Sequence, residues 1–470
     1  MDGSTHFSVF LLVAIILHCS SSKTVNATCY ASEKQALMDF KKDLKDPHGR
    51  LSSWIHDVDC CKWEGVVCSN RSGRVIQLHL QSPDPEIYVV AEGDEFFWSL
   101  RSLRYLDLSG AGFQGMVPYQ LGNLSSLRTL SIGGHRFDLQ VDNLQWLAGL
   151  SNLEHLDMSG VDLSTASNWL EVINTIPSLV EIHLSSCQLD LSSHHLGRDT
   201  FVFHANFSSL TVLDLSRNFL GHLIPRWIFG LTALASLDLS ENWFEGPLSR
   251  DLWNLTSLKY LDLSFNHLNG SLPNELIHLN NLISLNLQEN HLNGPIPSTV
   301  GNCTKLEYLS LNDNALSGSI PSNLGKLSSL QLWNVSHNKL TGTLPKSLGQ
   351  LFKLEELIIF DNLMEGVVSE SHLDNLTALR YFDASGNSLT LKVSASWTPR
   401  VQFEVLGLSS WKLGPQFPTW IRSQKFLQYL NLSFTGILDT IPPWFFNSSL
   451  DIVDLSHNQI HGKSSIAILS

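Results

Sequence analysis

From Leu210 the chain repeats itself at a fixed step of 24 residues. Leu210 opens LTVLDLSRNFLGHLIPRWIFGLTA, Leu234 opens LASLDLSENWFEGPLSRDLWNLTS, and Leu258 opens LKYLDLSFNHLNGSLPNELIHLNN. Leu282, Leu306, Leu330 and Leu354 begin equivalent units. Units before this block start at Leu103, Leu127, Leu153 and Leu179 and are more loosely spaced; later ones start at Leu379, Phe403, Leu427 and Leu450. Length alone would suggest about three domains. A repeat of this period overrides that prior, because each unit buries its apolar side only against its neighbours and the whole becomes one solenoid. We expect about 15 such units over residues 75–470, the last incomplete, with Val75 to Leu80 as a capping strand.

Each unit reads L-x-x-L-x-L-x-x-N-x-L, the leucine-rich-repeat pattern. The LxxLxL part predicts a short strand, leucines inward and the residues between them outward. Strands stacked from unit to unit form a parallel sheet on the concave side, giving an α/β repeat solenoid. Asn218, Asn242, Asn266, Asn290, Asn314, Asn338, Asn362, Asn387 and Asn458 recur at one offset after the strand. A buried column of amides there satisfies the backbone groups freed where the chain turns. An LxGxLP or LxGxIP signature follows, as at Leu268, Gly270, Leu272 and Pro273. Glycine permits a tight path, proline starts the return segment, and a helical or 3₁₀ turn closes the coil.

Ser8 to Leu17 (SVFLLVAIIL) is an apolar run of secretory-signal length, with Ser20, Ser21 and Ser22 behind it, although no Lys or Arg precedes it. Residues 1–22 read as a signal peptide and 23–74 as an N-terminal cap. The run is too short to span a bilayer easily. Of seven cysteines, Cys29, Cys60, Cys61 and Cys68 cluster before the repeats, while Cys187 and Cys303 lie several repeats apart. The four read as two disulfides formed in an oxidising compartment, with three pairings open. The alternative, zinc, lacks paired C-x-x-C spacing.

At 43% hydrophobic and 16% charged, the chain is apolar enough for a continuous core. A net charge of −14 argues against nucleic acid as partner. No G-x-S-x-G, H-E-x-x-H, Walker or kinase signature is present, so we expect no catalytic, cofactor or metal site. His194 and His195 read as solvated loop residues. Asp107, Asp157, Asp214, Asp238, Asp262, Asp383 and Asp454 take the fifth position of their units. They predict an acidic stripe on a solvated sheet face, shared with the Ser of each DLS, that favours a cationic or hydroxyl-rich partner. The ligand-binding candidates are Tyr260, Tyr308, Tyr381 and Tyr429 at the third position, with Leu332, Ile358 and Phe360 as an apolar patch. Eleven N-x-S/T sequons, at Asn26, Asn70, Asn123, Asn206, Asn254, Asn269, Asn302, Asn334, Asn375, Asn431 and Asn447, fit a secreted glycoprotein. Asn334 and Asn431 occupy fifth, concave positions, where glycans would cover part of the binding face.

The repeats resemble the plant-specific leucine-rich repeat. Glu33 to Lys41 (EKQALMDFK), Asp46-Pro47, Leu51 to Trp54 (LSSW), Asp59 to Cys68 (DCCKWEGVVC) and Arg74 to Leu80 (RVIQLHL) are similar to the plant N-terminal cap. That resemblance implies a right-handed superhelix, and pairs Cys29 with Cys60 and Cys61 with Cys68. Val141 to Leu147, Ala166 to Leu170 and Phe403 to Trp420 look like plant receptor-like proteins, in the branch of the fungal-xylanase receptors and apple scab resistance proteins. The family implies a cell-surface receptor that senses an extracellular protein, peptide or glycan elicitor in defence and signals through a partner receptor kinase. Full-length members sit in the plasma membrane. This chain stops at Ser470, midway through the unit begun at Leu450, so we read it as C-terminally truncated and its own location as the extracellular face. The other reading is a secreted inhibitor like the polygalacturonase inhibitors.

Overall fold

The computed structural model describes residues 27–42, 44, 46, 49–81, 99–134, 138–190, 206–448 and 450–461. The proposed signal at 1–22, Asn26, His194 and His195 lie outside these residues. The chain divides into two compact units: Met1–Val161 with Asn168–Ile176, and Asp162–Ser167 with Pro177–Ser470.

The first unit begins with the helix Ala31–Lys42, whose Leu37 and Phe40 are buried. Glu33 lies on the same helix and is fully buried. Such burial needs partners for the carboxylate. They are Arg74, whose Nη1 lies 3.1 Å away, and the Val75 N–H, which donates at 2.7 Å. Cys29 is bonded to Cys60 and Cys61 to Cys68. Asp59 accepts from the Cys61 and Cys29 N–H groups, which fixes the CC turn. Strand Val66–Cys68 runs antiparallel to Val75–His79, and Tyr105–Asp107, Thr129–Ser131 and His155–Asp157 then add in parallel.

In the second unit, strands from Glu181–His183 and Val212–Asp214 to Ile452–Asp454 add in parallel, one per repeat. Their inward residues stay in register: Leu237, Leu261, Leu285, Leu309, Trp333 and Leu357 oppose one another in sequence. Each of these is at most 1% exposed, as the LxxLxL spacing dictates. Burying a side chain of this size contributes about 1.5–3 kcal/mol.

The segment after the strand departs from the expected plain turn. Trp243–Pro247, His267–Ser271, His291–Pro295, Ala315–Ser319, Lys339–Gly342, Leu363–Ser369 and Ser388–Lys392 form a second parallel sheet, with Gly221–His222 at its start. The glycine of LxGxLP makes this possible. Gly270 and Gly294 hold φ of 79° and 72°, which costs a residue with a Cβ about 1–2 kcal/mol. The chain then enters five-residue 3₁₀ helices such as Asn274–His278 and Ser298–Asn302, with proline as the preceding cap.

The asparagines form the expected column. The Asn266 amide donates to the carbonyls of Leu239, Leu263 and Ser264 at 3.0, 3.2 and 3.0 Å. Its oxygen accepts from the Phe244 N–H at 2.9 Å. Asn242, Asn290, Asn314, Asn338, Asn362 and Asn387 repeat this pattern. The units begun at Phe403 and Leu427 lack the amide and replace it differently. The buried Trp411 indole donates to the Ala384 carbonyl at 2.9 Å, and the Thr435 hydroxyl donates to Leu432 at 2.7 Å.

Candidate ligand-recognition face

Side chains at positions three, five, seven and eight of each unit stand on the side of the strands away from the core. In the second unit the third-position residues stay in register as Tyr260, Ser284, Tyr308, Leu332, Glu356, Tyr381, Val405 and Tyr429. Tyr260 and Tyr308 are 49% and 44% exposed, whereas Leu332, Tyr381 and Tyr429 are half-buried. The Tyr308 hydroxyl donates to Gln331 at 3.3 Å. Burial raises the Tyr381 hydroxyl above its ordinary value, and the charges of Asp383, Tyr429 and Glu356 push the same way.

Ile358 stands in the fifth column, between Asn334 and Asp383. Phe360 lies in the seventh and meets His337 edge-on at 4.7 Å. The anticipated apolar patch is thus spread over three columns, and each member is half-buried.

Of the seven aspartates expected as a stripe, Asp214, Asp238 and Asp262 form a continuous run, less solvated than the pattern suggests, while Asp107, Asp157, Asp383 and Asp454 are separated by other residues. Asp214, Asp238 and Asp262 sit on consecutive strands in register. Each accepts from the N–H and hydroxyl of the Ser two residues on. Those serines, Ser216, Ser240 and Ser264, are buried, contrary to the expectation of a solvated DLS face. A serine side chain is short enough to fold back on the carboxylate and leave solvent. Burial lifts Asp238 to about 6; the Ser240 bonds oppose this, and Asp262 and Asp214 on either side add to it. At Asp214 burial also acts upward, but hydrogen bonds from His183 and Ser216 outweigh it and hold the carboxyl below its ordinary value.

Position eight was not singled out by the repeat grammar. Arg217, Glu241, Phe265, Glu289, Asp313, His337 and Asp361 all hold φ between 50° and 56° there. Glycine would occupy this left-handed turn more easily. Charged and aromatic residues are nevertheless held there, and Ser186, Ser410, Phe434 and His457 hold the same conformation at the equivalent position, so the turn belongs to the repeat itself. Arg217 pairs with Glu241 at 2.9 Å and His337 with Asp361 at 3.3 Å.

The sequons separate by position. Asn123, Asn254, Asn302 and Asn447 end 3₁₀ helices and are exposed. Asn70, Asn206, Asn269 and Asn375 are also exposed. Asn334 and Asn431 are half-buried, and their oxygens accept from Ser336 and Ser433.

Residues 231–439 match the leucine-rich repeat region family, 31–69 the leucine rich repeat N-terminal domain, and 177–244 and 102–124 the leucine rich repeat. Receptor-like protein EIX1 of Solanum lycopersicum is 36% identical over 97% of this chain and 55% of its own length. Receptor-like protein EIX2 of the same plant is 34% identical over 96% of this chain and 54% of its own. The chain belongs to the plant leucine-rich-repeat receptor-like protein family. It spans about half the length of these curated relatives. Among solved structures, a TDR receptor superposes with a TM-score of 0.68 at 27% identity, covering 85% of this chain and 67% of that one. PEPR1–AtPEP1 gives 0.63 at 24% identity, covering 92% and 69%, a likeness of fold. Among the described residues, no helix is long and apolar enough to cross a membrane.

Proposed function

We propose that this receptor-like chain recognises an extracellular elicitor, a protein, peptide or glycan, through the open strand face of its second unit. In the full-length protein, recognition is passed to a partner receptor kinase in defence signalling. The supporting observation is the pair Tyr260 and Tyr308, aromatic rings left exposed two strands apart, either side of Ser284, on a face otherwise furnished with Ser, Asn and Asp. Side chains there project from strands locked by the asparagine column, so little ordering is required on binding. Leu332, Ile358, Phe360, Tyr381 and Tyr429 extend the face. Its carboxylates, Asp214 to Asp262, favour a partner with cationic groups. The two disulfides, the sequons and the family support an extracellular setting for this activity, with glycans on the exposed asparagines.

Surface plasmon resonance of the secreted chain against purified fungal xylanase tests this reading. Tyr308→Ala and Leu332→Asp should each weaken binding at least tenfold, about 1.4 kcal/mol. Phe352→Ala, exposed beyond a 3₁₀ helix, should not. Equal loss from Phe352→Ala, or none from the strand-face variants, would remove the face from consideration.

A further inference from the structure

A second row of rings lies beside the strand face just described, next to its position-eight residues. It occupies the position directly after the column asparagine; Trp243, His267 and His291 begin strands of the second sheet, and Phe219 lies just before Gly221–His222. Phe219, Trp243, His267 and His291 supply one ring from each of four consecutive repeats, and all four are exposed. Phe219 is 44% and Trp243 58% exposed, and their ring centroids stand 5.2 Å apart. His267 and His291 stack at 5.6 Å with their planes 18° apart. Exposed aromatic faces set side by side on a rigid sheet call for a partner.

The surroundings narrow that partner's chemistry. Arg217 pairs with Glu241 at 2.9 Å on one side of the Phe219–Trp243 pair, and His222 with Glu245 at 3.5 Å on the other. The rings are thus flanked by hydrogen-bond donors and acceptors, and the Arg217 guanidinium is already paired with a carboxylate. An anionic membrane surface needs uncompensated cations, which this pairing does not offer. A peptide adding as a strand needs a free backbone edge. Strand Trp243–Pro247 is paired on both sides, to Gly221–His222 and to His267–Ser271. A neutral polyhydroxylated ring fits instead, its C–H face lying on the aromatic ring and its hydroxyls reaching carboxylate, guanidinium and imidazole. The spacings within the two pairs, 5.2 and 5.6 Å, are also close to the length of one sugar in an extended β-1,4-linked chain.

We propose that Phe219, Trp243, His267 and His291 form a carbohydrate-binding row, taking a neutral β-1,4-linked oligosaccharide with about one sugar per repeat. The site borders the elicitor face at Arg217 and Glu241 but does not use its third-position column.

Isothermal titration of the secreted chain with cellohexaose, xylohexaose and chitohexaose tests the row. At least one hexasaccharide should bind, more tightly than its disaccharide. Trp243→Ala and Trp243→Leu should each weaken it at least tenfold, since leucine keeps the apolar bulk and loses the π-face. The melting temperature should hold, because the side chain is exposed. Tyr308→Ala, in the third-position column, should leave sugar binding unchanged. The proposal is overturned if none of the three hexasaccharides binds, or if Trp243→Leu binds as the parent does. It is overturned equally if Tyr308→Ala abolishes binding, or if oxidative footprinting finds Trp243 already shielded in the unliganded protein.

Discussion

Replacing Asn266 with alanine probes the device that holds the strand face in place. The side chain is 5% exposed and makes four hydrogen bonds, three donated to carbonyls and one accepted from the Phe244 N–H. Alanine leaves that N–H without its acceptor in a region water does not reach. A stranded buried group costs about 1–3 kcal/mol. The Leu239 carbonyl belongs to the preceding repeat, so the bond lost also ties two units together. Adding about 1 kcal/mol for it gives a destabilisation of about 2–4 kcal/mol. In a solenoid, where stability is the sum of unit and interface contributions, the damage should stay local. Hydrogen–deuterium exchange should therefore quicken at Phe244 and across the strands Ser236–Asp238 and Tyr260–Asp262, and not in the cap helix Ala31–Lys42. Asn266→Asp should be no better, since it keeps the acceptor but turns a carboxylate oxygen toward three carbonyls. A loss below about 0.5 kcal/mol with unchanged exchange at Phe244 would refute the reasoning, because surface substitutions cost that little.

Three further outcomes are expected. Trp411→Phe removes the indole N–H that donates to Ala384 and should lower stability by about 1–2 kcal/mol in denaturant titration. Gly325→Ala should cost about 1–3 kcal/mol by the same measurement, because the added Cβ would sit 2.4 Å from the Ser347 carbonyl oxygen of the next repeat. Asp238 binds its proton more tightly folded than unfolded, its value being lifted by burial to about 6. Its contribution to stability is complete below about pH 4, the ordinary carboxyl value, and is lost as pH rises through about 6. Asp238→Asn should therefore raise the melting temperature at pH 7.5 and leave it unchanged at pH 4. Asn334 already makes the same serine bonds at this position.

The leucine and asparagine columns were legible in the sequence because each is a strict consequence of one spacing. Leu261 must face inward if Leu258 and Leu263 do, and Asn266 must follow at the turn. The second sheet was not legible. Its strands, such as His267–Ser271, hold single leucines among Asn, Gly, Ser and Pro, which read as turn chemistry. They become strands only because the neighbouring repeat offers backbone partners at matching height. Trp411 was hidden for a related reason. An indole and an amide share no sequence pattern, and only the geometry shows both donating to the carbonyl of the preceding repeat. The third-position tyrosines were visible from the sequence, but their environments were not. Tyr308 stays exposed beside Leu332, whereas Tyr381 is half-buried between Glu356 and Val405.

Hydroxyl-radical footprinting tests the central claim most directly, comparing the secreted chain alone with the chain in fractionated fungal culture filtrate. Binding at the strand face predicts that oxidation of Tyr260, Tyr308 and Phe360 falls in an active fraction, while Phe352 and Phe426, exposed away from that face, stay reactive. Protection confined to Phe352 and Phe426, with Tyr260 and Tyr308 as reactive as in the free chain, would contradict it.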